Sequence, residues 1–196
     1  MQAVFRGPHS FAKQIDKFAK QSKVLTVSIL RRGAVRFRQR MLNENLAGRP
    51  GLNRRSGNLA RSLTVWVDPQ IKSPRLFAKI GGRMIPYAAI QEYGGIITPK
   101  RARMLAIPLP PVCDSRGTPI FKSPRHQPGL FIIRSRRGNL LLVRRVGKRI
   151  EPQWVLRHVT GVPARMGFHR TFEIECKHTL AELRREFKAL GRKRVG

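Results

Sequence analysis

Apolar and small residues recur in steps of four and three along the first part of the chain: Phe11, Ile15, Phe18, Ser22, Leu25 and Ile29. Leu30, Ala34, Phe37 and Met41 continue the stripe one position over. That period places them on one face of a helix. Pro8 and Ser10 supply a start, with Ser10 as N-cap. The pattern predicts a helix over 10–45, roughly 50 Å long at 1.5 Å per residue, with a weak point at Gly33. The opposite face carries Lys13, Lys17, Lys20, Lys23, Arg31, Arg32, Arg36, Arg38 and Arg40, and the only acids are Asp16 and Glu44. Such a helix is expected to pack on one side and to meet solvent or a polyanion on the other.

Past a Gly- and Arg-rich loop at 47–58, Ser56 or Asn58 is placed to cap a short helix holding Leu59 and Leu63. Strand-like runs follow at 64–67 and 76–80, then a helical turn at 86–93 stopped by Gly94-Gly95, then strands at 96–98 and 102–109. Residues 110–129 are rich in Pro, Gly and Ser and read as a long loop or arm. A hairpin of 130–134 with 140–146 and a strand at 154–159 come next. Phe168, Phe172, Cys176, Leu180, Leu183, Phe187 and Leu190 mark a second amphipathic helix, on which Glu182 and Glu186 sit beside Arg184 and Arg185 as surface pairs. A basic tail, 191–194, closes the chain. The order implies one α+β domain over 1–196, with both helices packed on an antiparallel sheet. Its parts are a long helix at 10–45, a sheet core at 64–109, a basic loop and hairpin arm at 110–150, and a C-terminal helix at 166–190.

Charge changes this picture most. The 196 residues hold 41 Lys and Arg against 10 Asp and Glu, a formal net charge of +31. A domain with that surplus repels itself unless a polyanion is near, and nucleic acid is the commonest one. An anionic membrane is the rival partner, but no amphipathic or lipidated anchor is visible, and runs such as Leu140-Leu141-Leu142-Val143 are far too short to span a bilayer. The surplus peaks between Glu92 and Glu151, where Asp114 is the only acid. The candidate phosphate contacts there are Lys100, Arg101, Arg103, Arg134, Arg136, Arg137, Arg144, Arg145, Lys148 and Arg149, on what reads as a protruding arm. Two cysteines and a start without an apolar signal-like run point to a reducing cytoplasm.

Catalytic patterns are scarce. His9, His126, His158, His169 and His178 show no HExxH-type spacing, and no GxSxG, phosphate loop or GxGxxG occurs. His169, Cys176 and His178 invite a zinc reading without CxxC or paired-His spacing to support it; core and surface roles are the plainer account. Glu92 with a histidine is the one acid–base pair a basic nuclease could use. The phenylalanines at helical spacing read as core and not as a base-stacking platform. No cofactor, metal or catalytic residue is expected.

Three stretches resemble one family. Ser56, Gly57 and Leu59 lie in Arg55-Ser56-Gly57-Asn58-Leu59-Ala60-Arg61-Ser62-Leu63, similar to a (T/S)GxLxxS element that follows a long first helix. Tyr87, Glu92, Tyr93, Gly94 and Gly95 form a YAxIxEYGG motif, followed by Ile97-Thr98-Pro99-Lys100 and Leu105-Ala106-Ile107-Pro108-Leu109. Val162-Pro163-Ala164-Arg165 leads into Phe168 like the family's PARPF ending, with Met166-Gly167 in place of the proline. Together they resemble the neck and tail-completion proteins of long-tailed bacteriophages, a group that includes the Mu-type virion morphogenesis proteins and is similar to the tail-completion protein Z of phage lambda. The resemblance implies a virion protein without catalysis, made in the host bacterial cytoplasm. It implies a ring of copies, commonly six, between head and tail, beside partners such as a tail terminator or head–tail adaptor and the packaged DNA end. A general nucleic-acid-binding protein, ribosomal-type or packaging, is the alternative, and a nuclease a third.

Overall fold

Helix α1 runs over Pro8–Arg40 and passes into one wide turn, Met41–Asn45, in which Leu46 N donates to Met41 O at 3.0 Å. The computed structural model describes residues 8–48, 51–69, 73–83 and 85–192. Ser10 falls inside the helix and is not its cap. The side chains of Phe11 and Ile15, and Lys193 and Arg194 of the basic tail, lie outside the described residues. The wide turn closes over five residues where an α-turn closes over four. Met41 and Leu46, five apart, therefore both enter the core. Asn45 is aimed elsewhere, its amide donating to Met166 O at 2.8 Å and Thr171 Oγ1 at 3.1 Å.

The short helix α2 (Asn58–Arg61) leads into a hairpin of β1 (Thr64–Asp68) and β2 (Arg75–Lys79). Alternation turns Val65 and Ala78 toward α1 and stacks Trp66 on Phe77 across the outer face, ring centres 5.2 Å apart. Helix α3 (Ala88–Tyr93) and strand β3 (Gly95–Ile97) follow, then β4 (Leu105–Pro108), β5 (Leu130–Arg134), β6 (Leu140–Val146), β7 (Arg149–Arg157) and β8 (Thr160–Val162). Helix α4, Phe168–Arg192, ends the described chain.

The α+β class is as the sequence implies, but the single expected sheet is three antiparallel sheets: β1–β2, β3–β8, and a four-stranded sheet in the order β4-β7-β6-β5. The hairpin of β5 and β6 is thus no free arm; it is half of a sheet that takes β4 from the expected core segment. Nor does 110–129 extend away. Trp154 Nε1 donates to Gln127 Oε1 at 2.8 Å, Gln127 Nε2 to Gln153 Oε1 at 3.0 Å, and Leu109 N to Gln153 O at 2.9 Å. A bulge makes this clamp, because Leu142 pairs with Trp154 and Val143 with Pro152, leaving Gln153 extra. Buried polar groups so satisfied hold the segment on the sheet.

Helix α4 packs chiefly on α1 and not on a sheet face. The main core lies where they meet the first hairpin: Phe37, Met41, Leu46, Leu63, Met166 and Phe168. The crossing explains Gly33. A Cβ there would overlap Thr179 Oγ1 and stand 3.2 Å from Thr179 Cγ2, so alanine fits only if the threonine turns, leaving its contact with Arg36, or the helices move apart. Alanine gains about 1 kcal/mol of helix propensity and loses about 1–3 kcal/mol to overpacking. Gly33→Ala is therefore expected to destabilise slightly. Adding Thr179→Ala leaves an ordinary 3.4 Å contact to Thr179 Cβ. In urea titrations the double variant should lie above the sum of the two single changes.

Candidate nucleic-acid interface

All ten cations singled out in the sequence are exposed, and among the described residues none of them joins an ion pair. The sheet does not bring them together. Lys100, Arg101 and Arg103 precede β4, whose first residue, Leu105, pairs with Arg157 at the end of β7. Arg134, Arg136 and Arg137 flank the β5–β6 turn at that same end, since Arg134 pairs with Leu140 and Leu140 with Leu156. Arg144, Arg145, Lys148 and Arg149 surround the β6–β7 turn at the other end. The two groups are separated by the length of β6, roughly 20 Å at about 3.4 Å per residue. One continuous cationic arm is thus replaced by two cationic ends.

These ends differ in shape. At the first, all four strands stop level, and the 135–139 turn is tied down by Ser135 N to Asn139 O at 2.8 Å and Gly138 N to Ser135 O at 2.8 Å. At the second, β5 begins opposite Arg144 and β4 ends opposite Trp154, so β6 and β7 run on alone as a two-stranded ribbon.

The cationic face expected on α1 needs correction. Arg32, Arg36 and Arg40, one turn apart, face α4. Arg32 Nη2 lies 2.7 Å from Glu182 Oε1 and Arg36 Nη2 3.0 Å from Glu182 Oε2. Arg36 Nε and Arg40 Nη1 flank the buried Glu175 carboxylate at 3.4 and 3.3 Å. Arg40 Nε also meets Glu44 at 3.0 Å. Glu182 is therefore no local surface pair with its own helix; Glu186 does meet Arg185, at 3.7 Å. Arginines at i, i+4 and i+8 with carboxylates at i and i+7 on a second helix are the sequence signal for such a ladder.

Burial pushes the Glu182 carboxyl up, but hydrogen bonds and charge from Arg32 and Arg36 outweigh it and hold it below the usual carboxylate range. The unfolded chain then takes up this proton first as pH falls. The contribution is complete above the unfolded value of about 4.3 and is lost as pH drops through the folded one. The urea midpoint should decline below about pH 5, and Glu182→Gln should flatten that part of the profile. An unchanged slope in the variant would assign the acid lability to other groups.

The motif residues build a joint. Glu92 accepts from Phe168 N at 2.8 Å and His169 N at 2.9 Å, one oxygen each, and so caps α4. Gln91 O accepts from Arg165 N and Met166 N, both at 2.9 Å. Gly94, at φ 71°, lies where a Cβ would meet Ala164 N and Val162 O at 3.0 Å, so glycine is required twice over. Tyr93 Oη lies 2.6 Å from His169 Nε2. Phe168 fills the core behind the cap, Leu59 packs against that core, and Gly57 starts α2 in place of the expected Ser56 or Asn58. Tyr87, Gly95, Ser56 and Pro163 are at or near the surface. Two stretches about seventy residues apart in sequence are thus one structural unit, with β3 pairing β8 alongside. The sequence patterns did not reveal that pairing, because a three-residue strand such as β8 carries no period.

Both oxygens of Glu92 face backbone donors, which leaves the acid of the nuclease reading engaged. Around Cys176, burial pushes the thiol up, with Glu175 and Glu173 adding to the shift, which favours the neutral form over a metal-binding thiolate. Among the described residues no three His, Cys, Asp or Glu side chains converge on a metal-sized site, and no helix is long and apolar enough to cross a membrane. No protein-family model matches the chain, and no curated protein or solved structure gives a significant match.

Proposed function

We propose that this chain is a structural subunit of a tailed-phage particle, a tail-completion or head–tail connector protein of the neck. It forms a ring, commonly of six copies as the family resemblance implies, and sits beside the packaged DNA end. It is not an enzyme, and it works in the virion after synthesis in the host cytoplasm. The observation that carries the reading is the joint: the YAxIxEYGG stretch and the PAR–Phe168 stretch, which bear the family resemblance, bind each other and seat the last helix. Residues used as scaffold are what a structural protein requires. Exposed Phe131 and Ile132 on edge strand β5, and Ile96 on β3, supply apolar area for contact with further copies and with neighbouring neck or tail proteins.

A second reading, a general nucleic-acid-binding protein, is favoured by the two exposed cationic ends alone. The two separate in one preparation. The purified chain, freed of nucleic acid in high salt, is expected to give discrete rings in negative-stain images, and antibody should label the head–tail junction of tailed particles. Monomers that co-purify with RNA, with steep salt dependence and no ring, would overturn the neck assignment.

A further inference from the structure

We infer that the β6–β7 ribbon is a finger for duplex DNA that enters the major groove without reading sequence. The inference rests on the DNA contact in the proposed function and assigns it to one end of the sheet. Arg144 pairs with Leu130 of β5 as well as with Glu151, and beyond that flanked position the ribbon has two pairs of its own, Arg145 with Ile150 and Val146 with Arg149, joined through Gly147 and Lys148. At about 3.4 Å per position plus the turn it projects on the order of 10 Å, similar to the major-groove depth of about 8.5 Å. Two strands about 4.8 Å apart fit a groove about 12 Å wide, whereas the minor groove, about 6 Å wide, excludes them.

Its chemistry is equally directed. Residues 144–151 are all exposed, although they include Val146 and Ile150. Paired residues share a face, so one face carries Arg145 with Ile150 and the other carries Val146 with Arg149 and Arg144. Each face thus offers a cation for a phosphate and an apolar group for a thymine methyl or sugar. Glu151, opposite Arg144, is the one acid on the ribbon. The other cationic end is blunt, with its strands level and its turn tied down, and it can rest on phosphates but cannot enter a groove. Duplex RNA is disfavoured by its deep, narrow major groove.

The test uses the full chain and a mixed-sequence 20-base-pair DNA duplex, with affinity followed by fluorescence anisotropy as NaCl is varied. Two variants each remove four charges: R144Q/R145Q/K148Q/R149Q at the ribbon, and K100Q/R101Q/R103Q/R137Q at the blunt end. Each phosphate contact contributes about 0.9 to the slope of log affinity against log salt. The ribbon variant should lower that slope by about 3–4, and the blunt-end variant by less than about 1. Equal losses would overturn the proposal, because net charge alone would then account for binding. Guanine N7, a major-groove atom, should be protected from dimethyl sulfate by the native chain; binding without protection overturns groove entry. Ribbon-dependent binding to phosphatidylglycerol vesicles, with none to duplex DNA, overturns the choice of partner. Thermal melts establish that both variants fold, which their exposed positions favour. Rings without ribbon-dependent binding sink this inference and leave the neck reading standing; ribbon-dependent binding without rings does the reverse.

Discussion

Glu92→Ala is expected to lower the unfolding free energy by about 2–4 kcal/mol, measured by urea denaturation. The side chain satisfies two of the donors that the start of α4 leaves open. Loss of a helix cap costs about 0.5–2 kcal/mol, and hydrogen bonds to a charged group are worth about 1.5–3 kcal/mol each. Glu92→Gln keeps one acceptor oxygen, turns an amide NH2 toward the other donor, and should lose about half as much. The damage should be local first, with amide exchange rising at Phe168 and His169 before it rises in the four-stranded sheet. A Glu92→Gln chain of undiminished stability that had lost a metal-dependent cleavage activity would reverse the assignment and make the residue catalytic.

Phe37→Ala should cost about 3–5 kcal/mol, the range for large aromatic truncations in a packed core. Phe37 is 0% exposed, and its ring meets Phe168 and Phe172 edge-on at centroid distances of 5.4 and 5.2 Å. Such pairs add about 0.5–1.5 kcal/mol beyond area burial. Val35, two residues away and 56% exposed, is the control: Val35→Ala should change stability by less than about 0.5 kcal/mol. If the two changes cost the same, the packing of α1 on α4 is not the centre of this fold.

Legibility in the sequence followed the length of each pattern. The helices were visible because Ile29, Phe37 and Met41, or Phe168 and Phe172, repeat over several turns, and the hairpin of β5 and β6 because two apolar runs flank a Gly–Asn turn. What the sequence conceals depends on partners distant in the chain. Arg32, Arg36 and Arg40 look like a solvated face until Glu175 and Glu182, some 140 residues on, are placed opposite. Gly33 looks like a break until Thr179 is seen against it. The segment 110–129 has a loop's composition and is one, but Gln127, buried on Trp154, holds it to the sheet. Of the candidate interface, the ten cations are all exposed, but the one protruding arm expected for them is not formed. Their grouping was not legible, because which end of a sheet a turn occupies follows from strand order.

The arrangement of the carboxylates divides the molecule's response to its surroundings. Glu175, Glu182 and Glu44 are held among arginines, Glu92 caps a helix, and Asp114 closes a turn through Arg116 N and Thr118 N. The ten exposed candidate cations, by contrast, are eight arginines and two lysines, and among the described residues none of them joins an ion pair. Acid therefore reaches the seam between the two long helices through Glu182, whereas added salt screens first the charges that stand in solvent. Brine should thus weaken whatever those cations attract, while a sour medium should loosen the fold from within.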